Sequence, residues 1–172
     1  PLAEAVRATT DVDAVVEAGR AAFYRLAEKL AARGFEHDAS SDVICRWVHR
    51  ESGLPFDLMP VDSEVLGFSN PWYPYAVETA ESVEIAEGVS IRLLSAVAFV
   101  ATKLEAFASR GRGDFLSSHD LEDVLNVIDG REELVAEMAA APTALRASVA
   151  RTFSWLLADP DFSNVLPGLI AE

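Results

Sequence analysis

Asp11-Val12-Asp13-Ala14-Val15-Val16-Glu17-Ala18-Gly19 reads as a short apolar strand, closed by a glycine, that carries two carboxylates one residue apart. Successive side chains of a strand alternate between its faces, so Asp11 and Asp13 point the same way. Two neighbouring acids repel each other, and the arrangement gains nothing unless a cation lies between them. The residues just before, Arg7-Ala8-Thr9-Thr10, read as a polar turn entering the strand.

After Gly19 the pattern changes period. Phe23, Leu26, Ala27, Leu30 and Ala31 recur at helical spacing, and Gly34 stands where a helix C′ residue is expected. Residues 42–50 alternate as a strand, Ser52-Gly53 offers a turn, and residues 54–61 return as a second strand bounded by prolines, which predicts a β-hairpin. The returning strand holds one acid, Asp57, between Phe56 and Leu58. An ionised carboxylate buried there is costly without a partner, so Asp57 is expected to be paired or metal-bound. If this strand lies beside the first, Asp11, Asp13 and Asp57 form one cluster. Such a set suits Mg²⁺ when the phosphates of a nucleotide supply the remaining ligands, and two ions sharing the acids can clamp both oxygens of an in-line displacement. The competing reading has Asp11 capping a turn, Asp13 paired with an arginine and Asp57 on an exposed edge.

Residues 62–80 read as a long irregular segment containing Gly67-Phe68-Ser69-Asn70-Pro71-Trp72-Tyr73-Pro74-Tyr75. Its aromatic rings either stack on a nucleobase or pack over their own domain. Val83-Glu84-Ile85 and Val89-Ser90-Ile91-Arg92-Leu93 flank a Glu87-Gly88 turn as two strands. Ser95 is a candidate N-cap for a strongly apolar helix over 96–109, and Ser118 for a second over 120–128. Between them, Arg110-Gly111-Arg112-Gly113-Asp114 is either a mobile connection or a loop that approaches phosphates. Helices over 131–141 and 143–158 follow, then a proline-flanked tail. The expectation is an α+β protein: a mixed β-sheet with flanking helices over residues 1–95, then a helical region over 96–172. Lys103 lies among Val97, Phe99, Val100, Ala101, Leu104 and Phe107, where a long cation needs a reason to be. It either serves a site, reaches to solvent, or pairs with Asp120 in the next helix.

The bulk composition sets limits. With 172 residues, 51% hydrophobic and 24% charged, the chain can bury a sizeable core. A net charge of −14 repels nucleic acid unless basic residues gather locally. The single cysteine, Cys45, excludes an intramolecular disulfide and a cysteine-rich zinc site, and reads as a buried structural thiol. His37, His49 and His119 lack metal-ligand spacing. No apolar run approaches the ~18–20 residues of a membrane span, and no basic-then-apolar signal opens the chain, so a cytoplasmic location without membrane contact is expected. There is no Walker-type phosphate loop, no Ser-His-Asp order and no HExxH.

In ordered combination, several segments resemble the nucleotidyltransferase-like proteins of the AbiEii/AbiGii toxin family, within the polymerase-beta-like nucleotidyltransferase superfamily. They are Arg7-Ala8-Thr9-Thr10-Asp11-Val12-Asp13, Phe56-Asp57-Leu58-Met59-Pro60, Gly67-Phe68-Ser69-Asn70-Pro71-Trp72-Tyr73-Pro74, Thr102-Lys103-Leu104-Glu105-Ala106-Phe107 and His119-Asp120-Leu121-Glu122-Asp123, together spanning roughly residues 7–130. The resemblance implies a nucleotidyltransferase-like sheet followed by a helical region, and transfer of a nucleoside monophosphate from an NTP to a hydroxyl. It implies that Asp11 and Asp13 bind Mg²⁺, with two ions at the site, while Asp57 completes the site and activates the acceptor. Thr9, Thr10 and Lys103 would meet the nucleotide, Asp120 would be the acid of the lysine-helix-aspartate motif, and Asp123 its companion. The acceptor would be tRNA, a protein or a small molecule. A silent relative would act instead by protein binding, for instance with an antitoxin. Active members carry a Gly-Gly or Gly-Ser turn ahead of the first acid. None stands between Pro1 and Thr10, so either that turn lies upstream, which the opening without Met favours, or nucleotide binding has been lost.

Overall fold

A computed structural model of the chain describes residues 11–110 and 114–169. Thr9 and Thr10, and the Gly111-Arg112-Gly113 connection, lie outside the described residues. The chain forms two compact units, one within Ala8–Val77 and one within Glu78–Glu172. The fold is α+β.

The first unit is a four-stranded mixed sheet in the order β1-β4-β3-β2, made of β1 (Val12–Val16), β2 (Phe35–His37), β3 (Arg46–His49) and β4 (Pro55–Pro60). β1 runs parallel to β4, and the other pairings are antiparallel. A parallel neighbour requires a crossover, which helix α1 (Arg20–Ala32) begins. Strand alternation then divides the sheet into two chemistries. Ala14 and Val16 of β1, Phe56 and Leu58 of β4 and Trp47 of β3 cluster with Phe23, Leu26 and Leu30 of α1 as the core of this unit. The alternate residues, Asp13, Asp57 and Arg46, share the opposite face.

Gly34 ends α1 as expected, with φ +89°, and a Cβ there would sit 3.2 Å from the His49 imidazole. Arg50 reaches back to the end of this helix, donating to the carbonyls of Gly34 and Ala31. The hairpin strand predicted over 42–50 is shorter, because residues before Arg46 are taken up by local turns. In these, Ser41 Oγ accepts the Val43 N–H at 3.1 Å and the His37 ring meets the Ile44 carbonyl at 3.0 Å.

The segment expected to be irregular over 62–80 contains two short helices, α2 (Ser63–Leu66) and α3 (Tyr73–Glu78). Asp62 caps the first by accepting the Glu64 N–H at 2.9 Å, and Gly67 ends it in the left-handed region. Asn70, buried, accepts the Trp72 N–H at 3.0 Å and so fixes the entry to α3. Tyr73 is buried too, with its hydroxyl on the Met59 sulfur. Asn70 and Tyr73 therefore pack into their own unit.

The second unit comprises the hairpin β5 (Glu81–Ala86) and β6 (Val89–Leu93), then α4 (Ala96–Arg110), α5 (His119–Asp129), α6 (Leu134–Ala140), α7 (Thr143–Ala158) and α8 (Pro160–Leu169). The division expected after residue 95 falls after Val77, so the hairpin groups with the helices, and Thr79 and Ser95 hydroxyls join its two ends at 3.3 Å. Ser95 and Ser118 act as the expected caps, their hydroxyls accepting the N–H groups of Ala98 and Leu121. The core is aromatic: Phe107, Phe115 and Phe162 pack with Leu121, Leu125 and Leu156. The tail expected after residue 158 is instead helix α8. Pro160 occupies its first turn, where a missing N–H costs nothing, and Asp159 accepts the Asp161 N–H at 2.9 Å. Among the described residues no helix is long and apolar enough to cross a membrane.

Candidate metal-binding site

The parallel pairing of β1 with β4 sets Asp13 beside Asp57 in register, and Asp11 follows one pleat earlier on the same face. One oxygen from each of Asp11, Asp13 and Asp57 lies within 4.8 Å of the others. The three acids expected to cluster are thus brought together. They grade in burial from exposed Asp13 on the outer strand, through half-buried Asp11, to Asp57, which is only 7% exposed. The alternative that placed Asp57 on an exposed edge does not hold, because β4 lies between β1 and β3.

The donor set suits a hard divalent cation. Oxygens around one Mg²⁺ stand about 3 Å apart when adjacent and about 4 Å apart when opposite, given bonds of about 2.1 Å. A small rotation of carboxylates already within 4.8 Å meets that requirement. The cluster is therefore able to hold a metal ion.

The sequence did not single out Arg46, yet it engages two of these acids, Asp57 and Asp11. It stands opposite Asp57 across the β3–β4 pairing. Its Nε donates to Asp57 Oδ1 at 2.8 Å and its Nη2 to Oδ2 at 2.7 Å, a two-point fork. The same Nη2 lies 3.3 Å from Asp11 Oδ2. Those hydrogen bonds to Asp57, with the surrounding negative charge, hold the guanidinium firmly protonated. Nearby, Cys45 is buried, and its burial pushes the thiol up to about 11, with the Asp57 charge adding to the effect. That fits the structural thiol expected.

The other expected site residues gather in the second unit. Lys103 on α4 places Nζ 2.9 Å from Asp123 and 3.4 Å from Asp120, both on α5. Those acids stand three positions apart, so they share one helix face, and Asp120 also lies in the first turn, where a negative charge complements the helix dipole. Nζ sits 5.6 Å from the Phe99 ring centroid. All three charged side chains are less than a quarter exposed. Lys103 is thus held by two acids, of which the sequence had anticipated Asp120.

The histidines serve locally: His37 against the Ile44 carbonyl, His49 against the Ser52 hydroxyl and His119 against Glu122. Among the described residues, Asp11, Asp13 and Asp57 form the one acid, histidine or cysteine group with metal-ligating geometry. The chain matches no known family model, and no curated protein is similar enough to it to count as a relative.

Proposed function

We propose that this protein is a Mg²⁺-dependent nucleotidyltransferase that moves a nucleoside monophosphate from an NTP to a hydroxyl acceptor. The observation that carries the reading is the convergence of Asp11, Asp13 and Asp57 on one face of the sheet, opposite the apolar core. The resemblance of the surrounding segments to AbiEii-like proteins adds to it. The bound metal would neutralise phosphate charge and lower the pKa of an attacking hydroxyl.

The chain's own residues divide the remaining work. Asp11, just ahead of β1, and Asp13, on that outer strand, would hold the ion where a triphosphate can reach it. Asp57, shielded from water, would be the third ligand and accept the proton of the incoming hydroxyl. By the resemblance Lys103 would meet the nucleotide, and within its own unit Asp120 and Asp123 hold it. The acceptor is tRNA, a protein or a small molecule, and the charge of −14 favours the small molecule or protein over RNA. A cytoplasmic location accords with an NTP substrate.

One observation favours a second reading, in which the chain is catalytically silent and acts by binding another protein, such as an antitoxin. Arg46 already supplies Asp57 with a two-point cationic partner. Isothermal titration with NTP, with and without Mg²⁺, separates the readings. Mg²⁺-dependent binding, followed by transfer of labelled nucleotide to total RNA or candidate small molecules, supports the enzyme. Absence of Mg²⁺-dependent NTP binding by the full-length protein sinks it.

A further inference from the structure

Resting on the reading of Asp11, Asp13 and Asp57 as a divalent-ion site, we propose that Arg46 is the resident counter-ion of that site and that metal loading displaces its guanidinium from Asp57. The geometry sets the two cations in competition. Arg46 occupies both oxygens of Asp57, at 2.8 and 2.7 Å, and its Nη2 also lies 3.3 Å from Asp11. One guanidinium nitrogen therefore lies against two of the three acids that must converge on an ion. An ion held by those oxygens would stand a few ångströms from a guanidinium carrying charge of the same sign. Arginine cannot relieve that repulsion by losing its proton, so it must move.

The fold allows the movement. Arg46 projects from β3, beside β4, and its side chain is a quarter exposed, against a tenth for Asp57. Its backbone is anchored by the β3–β4 ladder while the head has a path toward water. The device also answers a stability problem. Without ion or arginine, Asp57 would be a buried carboxylate beside two other acids, which costs folding. Arg46 supplies the missing charge until a divalent cation replaces it.

Mn²⁺ binding to the full-length wild type, Arg46→Met and Arg46→Lys, followed by isothermal titration and by the electron paramagnetic resonance of free Mn²⁺, tests this. Removing a competitor should tighten binding at least tenfold in Arg46→Met, with Arg46→Lys intermediate, because lysine keeps the charge but loses the fork. Unchanged binding in the variants overturns the proposal, and so does weaker binding, which would make Arg46 a support that orients Asp57 for the ion. If Arg46→Met does not fold, Arg46→Lys and the wild type decide. In wild-type protein the Arg46 Nε–H NMR resonance, assigned by its loss in Arg46→Lys, should move toward the position of a solvated arginine as Mg²⁺ is added. A resonance that stays in place while Mg²⁺ binds elsewhere in the spectrum overturns the displacement. If neither wild type nor variants bind Mn²⁺, the metal site itself fails, an outcome distinct from equal binding by all three, which removes only the role of Arg46.

Discussion

Arg46 and Asp57 face each other across the β3–β4 hairpin and meet in a two-point contact, on the sheet face that also bears Asp13. This pair joins the stability of the first unit to its chemistry. Asp57 is 10% exposed at its side chain and Arg46 25%, so the contact is largely shielded from water. Breaking a shielded pair from one side leaves an uncompensated charge, which costs more than the pair itself contributes.

Arg46→Ala should accordingly lower stability by about 3 kcal/mol in metal-free buffer, the low end expected for a buried pair because Arg46 is partly exposed. Urea unfolding followed by circular dichroism measures this. A loss below 0.5 kcal/mol, the range of ordinary surface substitutions, would show that Asp57 does not depend on its arginine.

Asp11→Ala and Asp13→Ala should behave in the opposite way. Both acids are more open to solvent than Asp57, and removing one relieves repulsion within the cluster. Each variant should stay folded, within about 0.5 kcal/mol of wild type. In wild type, an ion held at a hundredfold excess over its dissociation constant should add about 2.7 kcal/mol of stability, and the variants should lose most of that increment. Melting curves with and without Mn²⁺ read both quantities. Full retention of the metal-dependent increment would remove Asp11 and Asp13 from the site.

Much of this arrangement was legible because strand chemistry is periodic. Asp11 and Asp13 share a parity, Asp57 stands alone in an apolar strand, and the shared face follows as soon as β4 pairs with β1. Arg46 was hidden by register. A two-residue turn at Ser52-Gly53 would set Val48 opposite Asp57, whereas the longer connection slides the pairing by two residues and brings Arg46 there instead. A slip of two keeps each side chain on its face, so the face of Arg46 was readable although its partner was not. Helices α2 and α3 were missed because they are short and set by side-chain caps at Asp62 and Asn70, not by an apolar period. Helix α8 was missed because the stretch after residue 158 was read as a proline-flanked tail, whereas Pro160 serves as the first-turn residue of a helix.

Lys103→Met tests the second cluster separately from the first. Substitution removes the cation that Asp120 and Asp123 hold, and leaves two acids side by side on α5. If Lys103 meets the triphosphate, NTP affinity should fall at least tenfold, while Mn²⁺ binding measured without nucleotide stays at the wild-type value. Paired titrations of the same preparation check this, with circular dichroism confirming the helices. Unaltered NTP binding would leave Lys103 as the structural partner of α5 alone.

Cys45 gives a prediction in pH. Burial, and then the charge of Asp57, raise its thiol from the ordinary 9.0 to about 11 in the folded protein. The folded state therefore keeps its proton where the unfolded chain has already lost it. The linked stability is complete below pH 9 and is lost as pH rises from 9 toward 11, a change on the order of 1–2 kcal/mol. Alanine at this position leaves a fixed packing defect but nothing to titrate. The difference in stability between wild type and Cys45→Ala, read from urea midpoints, should therefore be largest near pH 8 and narrow steadily above pH 9. Thiol reagents at pH 8 should modify the folded protein far more slowly than the unfolded chain. A difference that stays constant across this range, together with rapid modification of the folded protein, would mean that the thiol is neither buried nor held protonated by its surroundings.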